Sequence, residues 1–143
     1  MPDANASQPS LVRAIGAGAA YAAMVFAFAF VTGAIRTIVV SQNLGITPLM
    51  GAAIELPVIL FFAWRVCDSI MRWVRVSPDL GVRLLTCATA LIVILAAEYS
   101  LSAFVLGRTL PDFLATYSQP EALLGLAGQI VFALFPLFRW RPL

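Results

Sequence analysis

Residues 47–67 read TPLMGAAIELPVILFFAWRVC, and the architecture follows from this stretch and its counterparts. After the Thr47-Pro48 opening the chain stays apolar through Cys67, interrupted by Glu55 and, near the far end, Arg65. About 20 such residues at a 1.5 Å rise are enough to cross a bilayer as a helix. Proline at the first helical position loses nothing, because that N–H would be unpaired anyway. Thr47 is placed to cap the free N–H groups behind it. Similar punctuation recurs at Ser77-Pro78-Asp79 and Gln119-Pro120-Glu121, where Asp79 and Glu121 suit the positive end of a helix dipole. A first apolar run, Leu11 to Val40, follows Ser10 as its candidate cap.

Four spans are therefore expected, at about 11–40, 48–67, 79–106 and 120–138. They predict an all-α integral membrane four-helix bundle, a single domain over 10–143 behind a disordered tail over 1–9. Bulk composition agrees. Of 143 residues, 62% are hydrophobic and 11% charged, with a mean hydropathy of +0.95, whereas soluble domains carry about 25% charged residues. Span one exceeds the roughly 7–15 apolar residues of a signal peptide, and Arg36 sits where a cleavage site would not. It is read as a retained helix.

The composition also excludes chemistry. The chain has no histidine, which removes imidazole ligation of haem, most zinc chemistry and histidine general bases. All nine basic residues are arginine, so no lysine Schiff base can form. Cys67 and Cys87 have no metal-ligand spacing; they read as small buried apolar residues, and no metal or cofactor is expected. A net charge of +2, dispersed along the chain, argues against nucleic acid. Abundant Ala, Arg and Gly without Lys is the pattern of GC-rich codons and points to a bacterial source.

Arginine placement predicts orientation. Arg13, Arg65, Arg72, Arg75, Arg83, Arg139 and Arg141 fall on one side of a four-span layout, and only Arg36 and Arg108 on the other. The positive-inside rule then puts both termini in the cytoplasm. Trp64, Trp73 and Trp140 fall at the same boundary. Residues 68–76 read as a helical continuation of span two. There Arg72 and Arg75, with Arg139 and Arg141, could contact lipid headgroups or a partner, or simply set topology. Residues 110–117 read as a short interfacial helix with Leu110, Phe113, Leu114 and Tyr117 turned to the membrane; it could lid a cavity.

Ionisable residues within spans are costly and face the bundle interior. From the helix starts, Glu55 lies about 10 Å, Glu98 about 13 Å and Arg36 about 7 Å below the outer surface, with Gln129 level with Glu98. Thr32 sits one turn from Arg36. Arg36, Glu55, Glu98, Gln129 and Thr32 thus form one expected polar layer. It reads either as interhelical glue, with Arg36 on Glu55 and Gln129 bonded across, or as an outward-opening site for a proton or substrate. Pro57 frees a carbonyl near Ala53 in either case. Gly16, Ala20, Ala23 and Ala27 make a small-residue stripe, read as intramolecular packing or as a seam between copies. Met24, Phe26, Phe28 and Phe30 are expected to face lipid.

The segments Gly33-Ala34-Ile35-Arg36-Thr37, Glu55-Leu56-Pro57 and Ala97-Glu98 resemble those of small four-span bacterial inner-membrane proteins over nearly the whole chain. The resemblance implies a four-helix membrane protein with matching polar positions at Arg36, Glu55 and Glu98, and brings no activity with it. The sequence departs from small multidrug exporters, whose key glutamate is in the first span, where this chain has Arg36. Short loops, scarce catalytic side chains and a large lipid-facing aromatic surface favour a non-enzymatic accessory or scaffold subunit. Its expected partners are the bilayer and a larger membrane complex, or further copies of itself. The alternative is a minimal oligomeric transporter or channel, with Glu55 and Glu98 as coupling groups and Arg36 as counter-ion. A lipid-active enzyme using an outer-leaflet carboxylate is the third reading.

Overall fold

Thr47 caps the second span as expected: its side chain accepts the Met50 N–H, and Pro48 takes the first helical position. The computed structural model describes residues 4–42 and 45–138. Among them the chain is all helical, with α1 (Ala4–Ser41), α2 (Pro48–Val74), α3 (Leu80–Leu106), a short α4 (Leu110–Ala115) running into a 3-10 turn (Thr116–Ser118), and α5 (Pro120–Phe138). Four of these helices are long and apolar enough to cross a membrane.

Three boundaries differ from expectation. Helix α1 begins at Ala4 rather than after Ser10, so it takes in part of the segment read as a tail; Pro9 removes one backbone donor without ending it. At α3 the cap is Asp79, which accepts the Val82 N–H, so Pro78 stands before the helix instead of opening it. Helix α2 stops at Arg75, which adopts a left-handed conformation at φ 55°. There the Arg75 and Val76 N–H groups close on the carbonyls of Arg72 and Met71.

The four long helices form a closed ring in the order α1, α2, α5, α3, with α1 opposite α5 and α2 opposite α3. Side-chain contacts give the directions. Arg36 meets Glu55 and Phe28 stacks on Phe62, so α1 and α2 are antiparallel. Arg83 reaches Pro136 and Glu98 meets Gln129, so α3 and α5 are antiparallel too. The outer faces are apolar: Phe104 is 90% and Trp73 84% exposed. An apolar surface this extensive suits lipid or protein, not water.

Buried residues are concentrated at one end of the ring, where the chain enters, turns between α2 and α3, and leaves α5. They include Ala14, Ala17, Tyr21, Ala22 and Val25 of α1, Ala63 to Ile70 of α2, Val82 to Ile94 of α3, and Phe132 and Ala133 of α5. Gly18 sets the closest approach there. A Cβ at this position would lie 2.6 Å from the Thr86 carbonyl oxygen and 2.9 Å from Thr89 Cβ. The packing stripe of α1 is thus 14, 17, 18, 21, 22 and 25, not the expected Gly16, Ala20, Ala23 and Ala27. Those four lie on the exposed face, and Gly16 has open space around it. Among the aromatic residues expected to face lipid, Phe28 stacks on Phe62 at 4.0 Å and Phe26 packs against the core.

One bond crosses the diagonal of the ring. Proline lacks an N–H, so Pro136 inside α5 leaves the carbonyl four residues earlier, on Phe132, without its helical donor. The Tyr21 hydroxyl donates to that carbonyl at 2.9 Å, and the two rings pack at 5.3 Å. A carbonyl buried without a donor costs about 1–3 kcal/mol. Tyr21→Phe should therefore lower stability by that order. In a Pro136→Ala background, where the helix supplies its own donor, the same change should cost clearly less. A double-mutant cycle on detergent unfolding measures the difference; equal costs in both backgrounds would sink the account.

Candidate functional site

Away from the packed end the helices leave a cavity of about 250 Å³, lined by α1, α2, α3 and α5. The chain contains three glutamates, Glu55, Glu98 and Glu121, and all three line this cavity, together with Arg36 and Gln129. The four aspartates lie elsewhere in the sequence: Asp79 and Asp112 serve as helix caps, Asp68 belongs to α2, and Asp3 lies outside the described residues. Phe26, Phe30, Leu56 and Leu124 supply apolar wall between the charges, while Val25, Ile94 and Phe132 belong both to the lining and to the core at its closed end.

The polar groups fall into two pairs, one on each side of the ring. Between α1 and α2, Arg36 Nε stands 2.7 Å from Glu55 Oε2. The N–H does not point along that line, so the contact is an ion pair without a well-aligned hydrogen bond. The other carboxylate oxygen, Oε1, accepts the Thr32 hydroxyl at 2.5 Å. Between α3 and α5, Gln129 Nε2 donates to Glu98 Oε1 at 2.5 Å, which leaves Gln129 Oε1 buried without a donor. The structure thus brings Thr32, Arg36 and Glu55 into one cluster, and Glu98 and Gln129 into another across the same cavity.

Gly51 makes room for the first cluster. A Cβ there would stand 2.9 Å from Arg36 Cδ and 3.0 Å from Cγ, so the arginine stem lies flat across α2 where α2 has no side chain. The cavity has no comparable clamp on Glu121, which sits in the first turn of α5. Among the described residues no three of His, Cys, Asp or Glu come close enough to hold a metal ion. The three carboxylates therefore surround a space without converging on a point.

Arg83 was grouped by sequence with the topology-setting charges, yet it is buried at 7% exposure. Its Nη1 donates to the Pro136 carbonyl at 3.2 Å, near the end of α5 where carbonyls lack helical donors and the dipole favours a cation. Helical spacing would have found it: positions 83, 86, 87, 90 and 94 share the buried face of α3. The other basic candidates are more ordinary. Arg72 pairs with Asp68 one turn earlier at 2.8 Å with most of its side chain exposed, a contact of little energetic weight. Arg75 is the left-handed cap described above; Arg139 and Arg141 lie outside the described residues. Cys67 and Cys87 are both buried and are not joined in a disulfide.

Helix α4 does not lid the cavity, for none of its residues lines it. It begins with a capping box, in which Thr109 and Asp112 bond each other's backbone N–H. The Thr109 side-chain and backbone donors hold the Asp112 carboxyl below its usual range. Phe113 packs edge-on between Tyr99 and Tyr117, while Leu110 and Leu114 remain exposed. Burial, and then the negative charge of Glu98, push the Tyr117 phenol above its usual range.

No protein-family model, curated protein or solved structure matches the chain.

The ion pair gives a direct stability test. Arg36→Leu leaves Glu55 with the Thr32 hydroxyl alone, which should cost about 1–3 kcal/mol in detergent unfolding. The charge-swapped double variant, Arg36→Glu with Glu55→Arg, should recover part of that loss. An Arg36→Leu protein as stable as the parent would show that the pair holds nothing together.

Proposed function

We propose that this chain is a multi-pass protein of the bacterial inner membrane that binds a small organic cation in its cavity, as the binding step of a minimal transporter. The observation that carries this reading is the gathering of every glutamate in the chain around one cavity between apolar helices. Three carboxylates against the single Arg36 guanidinium leave the lining with two formal negative charges in excess when all are ionised. The Gln129 carbonyl, without a donor among the described residues, adds an acceptor to the lining. Carboxylates spread around a cavity with aromatic wall suit a diffuse organic cation better than a compact metal ion. Intramembrane acids of this kind are expensive to place in lipid and are kept where they bind or move charge.

In this reading both termini are cytoplasmic, which the seven-to-two split of arginines favours. The cavity then opens toward the outer half of the membrane, and Tyr21, Val25, Ile94 and Phe132 close it toward the cytoplasm. Passage of a solute needs that plug to part. The pairing of charges also gives α1 its role: Arg36 neutralises Glu55 and leaves Glu98 and Glu121 to the solute. The test is binding and uptake of tetramethylammonium by the purified protein in lipid vesicles. Glu98→Gln should weaken both about tenfold or more with abundance and unfolding unchanged. Failure of the parent protein to bind the cation would sink this function.

A second reading, an accessory subunit of a larger membrane assembly, is favoured by a separate observation. The face of α1 bearing Gly16, Ala20, Ala23 and Ala27 is exposed, and small residues in this spacing let another helix approach closely. Gly16→Leu combined with Ala20→Leu should leave the bundle folded and release a stoichiometric partner seen by mass spectrometry after native-lipid extraction. Recovery of the parent chain without any partner would end this reading.

A further inference from the structure

The Arg36–Glu55 pair borders two spaces, not one. On its other side a groove of about 270 Å³ runs between the second half of α1 and the first half of α2. Its walls are hydrocarbon, from Ile35, Val39, Val40, Ile46, Ile54 and Val58, and its polar edge consists of Thr32, Arg36 and Glu55. Ile35, Ile54 and Val58 are more than half exposed, so the groove lies on the outside of the ring. None of these three lines the acidic cavity.

The partition between groove and cavity is thin. Gly33 on α1 lines the cavity and Gly51 on α2 lines the groove, so neither helix adds a side chain at these positions. A Cβ built on Gly33 would have Glu55 Oε1 at 3.8 Å and Arg36 Nη2 at 4.0 Å as its nearest neighbours. What separates the two spaces at this level is the ion pair itself. Arg36 retains about a third of its side-chain exposure, and its long stem can swing without unfolding a helix.

A small hydrophilic cation would have no use for the groove. We propose that the ligand is a single-tailed amphiphile, with its cationic head between Glu98 and Glu121 and its hydrocarbon tail in the α1–α2 groove. This rests on the cation-binding reading of the cavity and names the ligand class for it. Head and tail meet at the Arg36–Glu55 pair, and the ligand enters sideways from the membrane. The charge sign follows from the excess of carboxylates in the cavity, and the tail from a groove whose walls offer nothing but aliphatic side chains. The tail gains dispersion contact with those fixed walls in place of mobile lipid.

The test uses the full chain in lipid nanodiscs, with tetramethylammonium and dodecyltrimethylammonium as probes and the long probe's concentration expressed per lipid, so that simple partitioning cancels. The parent protein should bind both, the long one about tenfold more tightly. Ile54→Trp fills the groove at an exposed position outside the cavity. It should remove the advantage of the long probe and leave the short one unchanged. Ile92→Trp, at an exposed position on α3, should change neither.

Equal binding of the two probes by the parent, or an advantage that survives Ile54→Trp, overturns the tail site while the acidic cavity stands. A loss of both probes in Ile54→Trp overturns it as well, since the groove would then not be separable from the cavity. If neither probe binds the parent, the cation-binding reading falls and the amphiphile falls with it.

Discussion

Backbone groups inside an apolar bundle have no water to bond, so each must find its partner within the protein. The bond from Tyr21 to the Phe132 carbonyl answers that constraint at the one place where α5 cannot answer it alone. It fixes the height of α1 against α5 across the diagonal of the ring, where the two helices share no flank. Arg83 treats the Pro136 carbonyl in the same way one turn further on. Between them these two donors make the end of α5 a shared property of α1, α3 and α5. Val25, Cys67 and Ala90 belong to the same buried cluster as the tyrosine and phenylalanine rings.

The cavity is the complement of that packing. Where α1 carries Gly18 it comes close to α3; where it carries Gly33 and Arg36 it borders the cavity, with charged side chains in the lining. A uniform apolar core would close both ends equally. Here the costly groups are collected at one level, paired across helix contacts, and placed around a space that the same helices do not fill. That distribution is the ground on which the proposal of a ligand rests, and the two pairs serve helix register at the same time.

Much of this was legible in the residues. The Thr47-Pro48 and Gln119-Pro120 starts, the helical continuation past Cys67 and the common depth of Arg36, Glu55, Glu98 and Gln129 all follow from cap chemistry and a fixed rise per residue. What sequence reasoning missed are facts of rotation and of partner choice. The small-residue stripe at 16, 20, 23 and 27 and the buried stripe through 14, 18, 21 and 25 differ by about half a helical turn, and α1 is apolar all round, so nothing in its pattern says which side is inner. The left-handed Arg75 carries no glycine or asparagine to announce it. Pro136 could have been read as Pro57 was, by asking which carbonyl it frees; the answering donor, 111 residues away, could not.

The ring order also divides the chain into two hairpins, α1 with α2 and α3 with α5. Each of them contains a polar pair of its own: Arg36 with Glu55 in the first, Glu98 with Gln129 in the second. Neither half therefore has to wait for the other before its most lipid-averse side chains are matched. A nascent chain that folds hairpin by hairpin can close each of these pairs before the halves meet. The contacts left for the meeting of the halves, Gly18 on Thr86, Leu56 on Gly128 and Tyr21 on Phe132, are all made by uncharged side chains and backbone.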